Sequence, residues 1–257
     1  MKKIKKILKK KNKSKIVCLT AYSKNIAEEV DKHADIVLVG DSLGSVLYNY
    51  SSTKKVTLDE MINHSKSVRL GVKKSLMVVD MPYKTYISKN LALKNAKKIM
   101  KQTKCDAVKL EGGKKIINQI QFLIKNKIPV MGHLGLLPQS AKGKFQSKGK
   151  NIKEIKQLRN DAMLLQKNGV FAIVLECVKT QIAKQITNDL KIPTIGIGSS
   201  VHCDGQVLVT DDLIGLNETN IKFVKKFANI KRYINLGLKN FAQAVKNKRY
   251  PTRKYSY

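Results

Sequence analysis

Residues 36–42 read Ile36-Val37-Leu38-Val39-Gly40-Asp41-Ser42, an apolar run followed at once by small and polar residues. A short run of β-branched and aliphatic residues without alternation is typical of a strand buried on both faces, as in a parallel sheet. Seven more runs of this kind follow or precede it, separated by longer lysine-containing segments with helical periodicity. The eight predicted strands are 16–20, 36–39, 76–80, 107–111, 130–134, 172–176, 194–197 and 206–210.

Helices are predicted in the segments between these strands, namely 24–32, 58–70, 91–101, 114–125, 154–167, 181–190 and 212–216, with a last pair at 222–228 and 233–247. Eight strands alternating with helices over 257 residues predict one α/β domain, a TIM (β/α)8 barrel. Residues 1–13 are interpreted as a basic N-terminal lead, and residues 222–257 as C-terminal helices and tail. A doubly wound open sheet is the alternative, but no Gly-rich phosphate fingerprint follows the first strand.

The charge balance is strongly basic, with 51 Lys and Arg against 18 Asp and Glu, a net charge of +33. Because such a balance is frequent in nucleic-acid-binding proteins, nucleic-acid binding is a rival hypothesis. Only five of the basic residues are Arg, the residue that base readout favours, and there is no Trp. The preferred interpretation is therefore a lysine-rich solvated surface without specific nucleic-acid binding, and attraction of anionic substrates is a further alternative.

The cysteines and the hydropathy pattern indicate in which cellular compartment the protein is found. Four cysteines, at positions 18, 105, 177 and 203, form no CxxC pair and are too scattered for a disulfide framework or a zinc site. No stretch approaches the ~20 apolar residues of a membrane span, and no signal-peptide-like run follows the basic N-terminus. These features predict a cytoplasmic protein with no membrane partner.

Three acids lie at the ends of successive predicted strands: Asp41 follows the second, and Asp80 and Glu111 end the third and fourth. Since the C-terminal ends of barrel strands meet at one mouth, we expect these side chains to lie together. Carboxylate oxygens favour Mg²⁺, which takes few protein ligands and leaves positions for a bidentate α-keto acid. For each acid alone, a helix cap or a loop ion pair is the alternative.

Lys109 is two residues before Glu111, so both should face the barrel interior. A cation there could bind a substrate carboxylate or stabilise an enolate, and an internal ion pair is the alternative. Glu176 ends an otherwise apolar strand, and partial burial makes a carboxylate a stronger base, so it is the candidate general base. A hydrogen bond that orients a loop is the alternative role for Glu176.

His133 lies in Gly132-His133-Leu134-Gly135, where small neighbours should let a ligand approach closely. A hydrogen-bonded core histidine is the alternative interpretation. No chemistry is assigned to the remaining histidines, His33, His64 and His202.

At this point the motifs resemble, in order along the chain, those of the ketopantoate hydroxymethyltransferase family. They are Thr20-Ala21-Tyr22, Val39-Gly40-Asp41-Ser42-Leu43-Gly44, Val108-Lys109-Leu110-Glu111-Gly112-Gly113, Gly132-His133-Leu134-Gly135-Leu136, Pro138-Gln139-Ser140, Leu175-Glu176-Cys177, Ile195-Gly196-Ile197-Gly198 and Asp204-Gly205-Gln206. The resemblance spans roughly residues 15–250, which is nearly the whole chain.

The resemblance implies a barrel of the phosphoenolpyruvate/pyruvate type that transfers a hydroxymethyl group from 5,10-methylenetetrahydrofolate to 3-methyl-2-oxobutanoate. The products would be 2-dehydropantoate and tetrahydrofolate, in pantothenate biosynthesis, and the enzyme would be a homo-oligomer, typically a decamer. By similarity, Asp41 and Asp80 would ligate Mg²⁺ and contact the substrate, and Glu111 would complete the metal site directly or through water. Ser42 and Lys109 would bind the keto acid, His133 would line its site, and Glu176 would accept the proton.

Three segments depart from the family pattern, at residues 48–53, 142–150 and 199–200. The first lacks the usual Gly-His-like pair, the second is a shorter loop, and the third has Ser199-Ser200 in place of Ala-Gly. We expect them to affect folate or lid contacts more than the type of reaction. A Mg²⁺-dependent carbon–carbon lyase of the phosphoenolpyruvate/pyruvate class remains the rival enzyme.

Overall fold

The computed structural model describes residues 1–140 and 146–257. Eight parallel strands form a closed barrel in chain order, which confirms the predicted fold class. They are β1 (Ile16–Thr20), β2 (Ile36–Val39), β3 (Leu76–Asp80), β4 (Ala107–Glu111), β5 (Val130–Gly135), β6 (Ala172–Glu176), β7 (Thr194–Ile197) and β8 (Gly205–Leu208). The bounds agree with the prediction except that β5 extends to Gly135 and β8 lies slightly earlier.

The barrel belongs to the first of two compact units, Met1–Val209, and this unit also contains eight helices of the described residues. They are α1 (Lys2–Leu8), α2 (Lys24–His33), α3 (Leu43–Tyr48), α4 (Leu58–Gly71), α5 (Lys89–Thr103), α6 (Ile117–Lys125), α7 (Ile152–Lys167) and α8 (Thr180–Asp189). Short 3₁₀ turns cover Thr53–Lys55 and Lys114–Ile116. The start of α4 is set by a capping box, in which the hydroxyl of Thr57 accepts from the Glu60 N–H at 3.2 Å.

Side chains at alternate positions along a strand belong to two different apolar clusters. Leu76 and Val78 of β3 belong to the cluster inside the barrel, whereas Met77 and Val79 pack in the cluster between sheet and helices. This alternation follows from the two-residue period of a strand. Continued to the C-terminal ends, the inward series reaches polar residues, so the mouth of the barrel is lined with charged groups while the rest of the interior is apolar.

The basic lead contains the helix α1, which sequence reasoning did not predict. Its Ile4 and Ile7, three residues apart and therefore on one face, are buried in the cluster inside the barrel. Lys3 Nζ donates to the carbonyl of Ser75 at 2.8 Å, and Lys11 Nζ lies 2.9 Å from Asp204 Oδ2. The basic N-terminus is thus a folded part of the first unit.

The second unit, Thr210–Tyr257, contains α9 (Thr210–Leu213), α10 (Ile230–Lys246) and a 3₁₀ turn at Arg253–Tyr255. The helix predicted at 222–228 is wrong, because this stretch has one turn, at residues 222–223, and is otherwise irregular. Its Phe227 N–H donates to the carbonyl of Leu213 at 2.8 Å instead of to a residue one helical turn earlier. That both units form one domain stays a prediction. No helix in the described part of the chain has the length and apolar character needed to cross a membrane.

Candidate active site

Asp41 and Asp80 lie side by side at the mouth. Asp80 ends β3, Asp41 follows β2 after one glycine, and the backbone N–H of Asp41 donates to Asp80 Oδ2 at 3.1 Å. Both carboxylates are buried. A Cβ at Gly40 would lie 2.9 Å from Ser42 Oγ, so the glycine leaves room for the serine hydroxyl, which is 2.8 Å from Tyr22 Oη.

Lys109 brings a buried positive charge to these acids. The register pairs Lys109 of β4 with Asp80 of β3, and Lys109 Nζ lies 3.0 Å from Asp80 Oδ1. Burial lowers the pKa of Lys109, but the charges of Asp80, Glu111 and Asp41 raise the pKa by more, so the net shift is upward. The side chain is therefore a cation.

His133 lies between two carboxylates, with Nδ1 3.4 Å from Glu111 Oε1 and Nε2 3.1 Å from Glu176 Oε2, the latter without hydrogen-bond geometry. Burial and the charge of Lys109 lower the pKa of His133, but the two glutamates outweigh them and the pKa rises to about 9. Lys109 Nζ is 3.3 Å from Nδ1, and Nδ1 cannot accept from Lys109 while donating to Glu111. Since the raised pKa favours the protonated ring, we assign the proton to Nδ1.

The pKa values of the three acids differ because their neighbours differ. Burial, followed by the charges of Asp80 and Glu111, raises the pKa of Asp41 to about 8. Burial also raises the pKa of Asp80, in spite of Lys109. Burial raises the pKa of Glu111 as well, but His133 and Lys109 lower it by more, so its net shift is downward. Asp80 is paired with Lys109, whereas Asp41 has no ion-pair partner in the described part of the chain and is the least compensated of the three acids.

Gln139, in the loop after β5, is a residue of this site to which sequence reasoning gave no role. Its side-chain NH₂ donates to Asp41 Oδ2 at 2.8 Å and to the Met81 carbonyl at 3.0 Å, and its backbone N–H donates to Glu111 Oε2 at 3.0 Å. The hydroxyl of Tyr86 donates to the side-chain oxygen of Gln139. The only sequence signal was its place in the Pro138-Gln139-Ser140 motif, because a loop amide has no periodicity that reveals its partners.

The donor set fits a magnesium ion held by few protein ligands. Among the described residues, no three His, Cys, Asp or Glu side chains form a ready-made metal cluster. Mg²⁺ needs only one or two carboxylates, with water and substrate in the other positions. Asp80 and Asp41 are adjacent and buried, and Lys109 Nζ lies 3.0 Å from Asp80 Oδ1, so one ammonium group faces two carboxylates. Glu111 is occupied by Gln139 and His133, so contact through water suits it better than direct ligation.

Glu176 is half-buried at the end of β6, where the register pairs it with Gly135. Gly135 has φ +96°, and a Cβ there would collide with the carbonyl oxygen of Glu176. A Cβ at Gly132 would lie 2.9 Å from Leu165 of α7. One glycine therefore accommodates the β6 backbone and the other accommodates a helix, and the close approach of a ligand to His133 stays a prediction.

Two of the three segments that depart from the family pattern, 48–53 and 199–200, contact residues close to the mouth of the barrel. Ser199 Oγ donates to the Leu175 carbonyl at 2.7 Å and accepts from the Val178 N–H at 3.0 Å, so it ties down the end of β6. The hydroxyl of Tyr48 lies 2.7 Å from His64 Nε2, while His64 Nδ1 lies 2.7 Å from the Tyr22 carbonyl. Residues 142–145 of the shortened loop lie outside the described residues.

Solved structures of several enzymes have the same fold as this chain. Phosphonopyruvate hydrolase superposes with a TM-score of 0.65 at 9% identity, covering 99% of this chain and 93% of the other. 2,3-Dimethylmalate lyase, a PEP mutase/isocitrate lyase superfamily member, superposes with a TM-score of 0.62 at 10% identity, covering 99% and 88%. At these identities the likeness shows the class of fold alone, a closed (β/α)8 barrel.

Sequence comparison defines the family. The model of the ketopantoate hydroxymethyltransferase family matches residues 1–253. The 3-methyl-2-oxobutanoate hydroxymethyltransferase of Pelagibacter ubique (strain HTCC1062) is 65% identical over 256 residues, covering 100% of this chain and 99% of that protein. Its counterpart in Anaplasma marginale (strain St. Maries) is 44% identical, covering 96% and 90%. The chain belongs to the ketopantoate hydroxymethyltransferase family.

Proposed function

We propose that this chain is a 3-methyl-2-oxobutanoate hydroxymethyltransferase acting in pantothenate biosynthesis. It takes a one-carbon unit from 5,10-methylenetetrahydrofolate and gives 2-dehydropantoate and tetrahydrofolate. Family membership supports the reaction. The observation that carries it in the structure is the buried cation of Lys109 beside the carboxylates of Asp41 and Asp80, with Glu176 at the same mouth.

The metal site of this proposal consists of Asp41 and Asp80 as direct ligands and Glu111 through water. Two adjacent buried carboxylates that share the charge of Lys109, together with the raised pKa of Asp41, support it, because a divalent cation would relieve the repulsion between these acids. When bound there, Mg²⁺ would polarise the carbonyl of the keto acid and make the adjacent C–H more acidic. Gln139 holds the carboxylates of Asp41 and Glu111 in place.

The remaining roles belong to the protein's own groups. The Lys109 ammonium group holds the negative oxygen that develops when the keto acid becomes an enolate, and the hydroxyl of Ser42 binds the same substrate. Glu176 accepts the proton from the substrate carbon, and His133, whose Nε2 lies 3.1 Å from Glu176 Oε2, lines the substrate site. Water hydrolyses both C–N bonds of the folate methylene bridge, which gives tetrahydrofolate and a one-carbon unit at the level of formaldehyde. The enolate carbon then adds to that carbonyl carbon, and the alkoxide takes up the proton that Glu176 removed.

Exchange of the substrate C3 proton in D₂O, followed by ¹H NMR, tests the enolisation half without any folate. The wild type with Mg²⁺ is expected to exchange the proton, and Glu176→Gln to lose at least about 100-fold of that rate, as for a general base. Glu29→Gln, in an exposed pair with Lys32, is the matched control and should exchange at the wild-type rate. Exchange that is equally fast in Glu176→Gln, or turnover that needs no folate, would contradict the proposal.

We also propose that the protein works in the cytoplasm as a homo-oligomer, a decamer by family resemblance. The four cysteines are unpaired, as a reducing compartment requires.

On α10, Ile234, Leu238, Phe241 and Val245 lie along one face and all are exposed. An apolar face of this size favours burial between subunits. Light scattering after size exclusion tests this, since Leu238→Asp should dissociate the assembly, and a monomeric wild type would contradict it.

A further inference from the structure

A cavity of about 690 Å³ opens beside the mouth, between the loops that follow β3, β4 and β5. It reaches the site itself, because Glu111 and Gln139 are among its lining residues. The volume lies in the range of pockets that hold cofactor-sized molecules, and it exceeds what a five-carbon keto acid needs. The wall includes apolar side chains at Ile87, Ile116 and Leu136. The cavity can therefore hold a second, larger molecule whose end touches the reaction site.

The rim of this cavity is positively charged. It carries Lys84, Lys114, Lys115 and Lys148, and none of these four forms an ion pair within residues 1–140 and 146–257. Lys148 is held in place by its backbone, whose N–H donates to the Cys177 carbonyl at 2.8 Å. Unpaired ammonium groups around one opening attract a polyanion.

The acids of the lining do not cancel this charge by pairing with the lysines. Asp161 Oδ1 accepts the backbone N–H of Lys114 at 2.8 Å. Glu154 Oε2 accepts the backbone N–H groups of Gly149 and Lys150 at 3.0 and 2.9 Å. Both carboxylates keep their negative charge, and the Lys150 N–H together with the charge of Lys148 helps to lower the pKa of Glu154. Neither acid forms an ion pair with a rim lysine among the described residues, so the ammonium groups can still contact a ligand.

We propose that this cavity binds the folate cosubstrate, with the ring system against the apolar wall near Glu111 and the γ-linked glutamate tail against Lys114, Lys115 and Lys148. The assignment rests on the proposed function. Each additional glutamate adds one carboxylate, so the rim favours polyglutamylated folate over the monoglutamate. The excess of lysine at this opening thus selects the form of the cosubstrate.

The test compares 5,10-methylenetetrahydrofolate carrying one glutamate with the same compound carrying three, using the full-length enzyme and Mg²⁺. The wild type should have a lower KM for the triglutamate. In Lys114→Gln/Lys115→Gln, the KM for the triglutamate should rise about five- to tenfold, as two exposed charge contacts allow, and the preference should disappear. Lys153→Gln/Lys156→Gln, on α7 outside the cavity, is the matched control and should keep the wild-type preference. Equal KM values for the two tails in the wild type, or a preference retained by the double variant, would overturn the placement of the tail.

A separate variant tests whether the folate ring system binds against the apolar wall. Ile87→Glu introduces a carboxylate on the apolar wall at an exposed position, so the fold should tolerate it. The KM for both folates should rise several-fold relative to the KM for the keto acid, and an unchanged ratio would overturn the placement.

Calorimetric binding of tetrahydrofolate triglutamate separates the two proposals. Binding that depends on Lys114 and Lys115, without turnover, would refute the transferase function and leave the cavity as a folate site. Turnover without dependence of binding on these lysines would refute the cavity assignment alone, and neither binding nor turnover would refute both.

Discussion

Lys109 and Asp80 face each other across neighbouring strands at the mouth of the barrel, with Nζ 3.0 Å from Oδ1, and both side chains are almost fully buried. The β3–β4 register places the two residues opposite each other on neighbouring strands. Removing one partner of a buried pair leaves the other charge uncompensated, which costs about 3–5 kcal/mol.

Lys109→Met should therefore lower the free energy of unfolding by a few kcal/mol and raise the KM for the keto acid more than tenfold. Urea unfolding and steady-state kinetics measure the two effects. Lys101→Met, at an exposed position of α5, should change neither quantity. A Lys109→Met enzyme with wild-type KM would show that the cation does not touch the substrate.

Gln139→Ala should weaken the binding of Mn²⁺, a paramagnetic substitute for Mg²⁺, by about 10–100-fold, since side chains that orient metal ligands have effects of this size. The reason is that Gln139 restrains Asp41 and Glu111 together. Electron paramagnetic resonance measures free Mn²⁺ without reference to catalysis. Gln102→Ala, on the exposed side of α5, is the control, and equal affinities of the two variants would refute a positioning role.

Gly135→Ala should unfold at a lower temperature and lose most activity. The backbone at φ +96° disfavours any side chain by about 1–3 kcal/mol, and the added methyl group would displace the Glu176 carbonyl. Gly237→Ala is the matched control, because nothing lies within 4 Å of a Cβ there and alanine favours a helix by roughly 0.5–1 kcal/mol. Thermal melts and assays of both variants check this, and a neutral Gly135→Ala would contradict the geometry.

Asp31 should stabilise the fold at neutral pH and lose this effect in acid. Burial raises its pKa, but N–H groups of Ser75, Lys74 and Lys73 lower it by more, from 3.8 to about 2. A depressed pKa gives stability that is present above pH 4 and lost as the pH falls towards 2, here about 2 kcal/mol in full and roughly half of that at pH 3. Urea unfolding of wild type and Asp31→Asn at pH 6 and pH 3 measures this difference, with Asp59→Asn on the surface as control. A difference that does not shrink at pH 3 would refute it.

The barrel could be predicted from sequence because buried parallel strands are continuous apolar runs, and runs such as Leu76–Asp80 were found with their bounds. Helix α1 was missed because only Ile4 and Ile7 pack among many lysines, so its burial depends on a barrel end that no local pattern shows. Helix α3 was missed because it has only six residues and contains a glycine.

The candidate site was less accessible to sequence reasoning than the fold. The positions of Asp41, Asp80 and Glu111 at strand ends predicted that they lie at one mouth of the barrel. The sequence pattern could not predict that Glu111 contacts Gln139 and His133. The contact of Gln139 with Glu111 depends on the loop after β5, and tertiary contacts determine the path of that loop. The roles assigned to Ser42 and Glu176 remain predictions, for which the structure supplies positions and partners.

The contact between Lys11 and Asp204 joins the first residues of the barrel unit to nearly its last, and the Ile16 N–H donates to the Asp204 carbonyl at 2.9 Å. During synthesis, α1 and β1 leave the ribosome before the other strands of the barrel, yet the strand that closes the ring beside them ends at Leu208. In a nascent chain, α1 and β1 therefore lack their contacts with Asp204 and β8 until nearly the whole unit has been synthesised. The closing step of folding follows translation of β8, and a ribosome stalled before it would carry an open, aggregation-prone sheet.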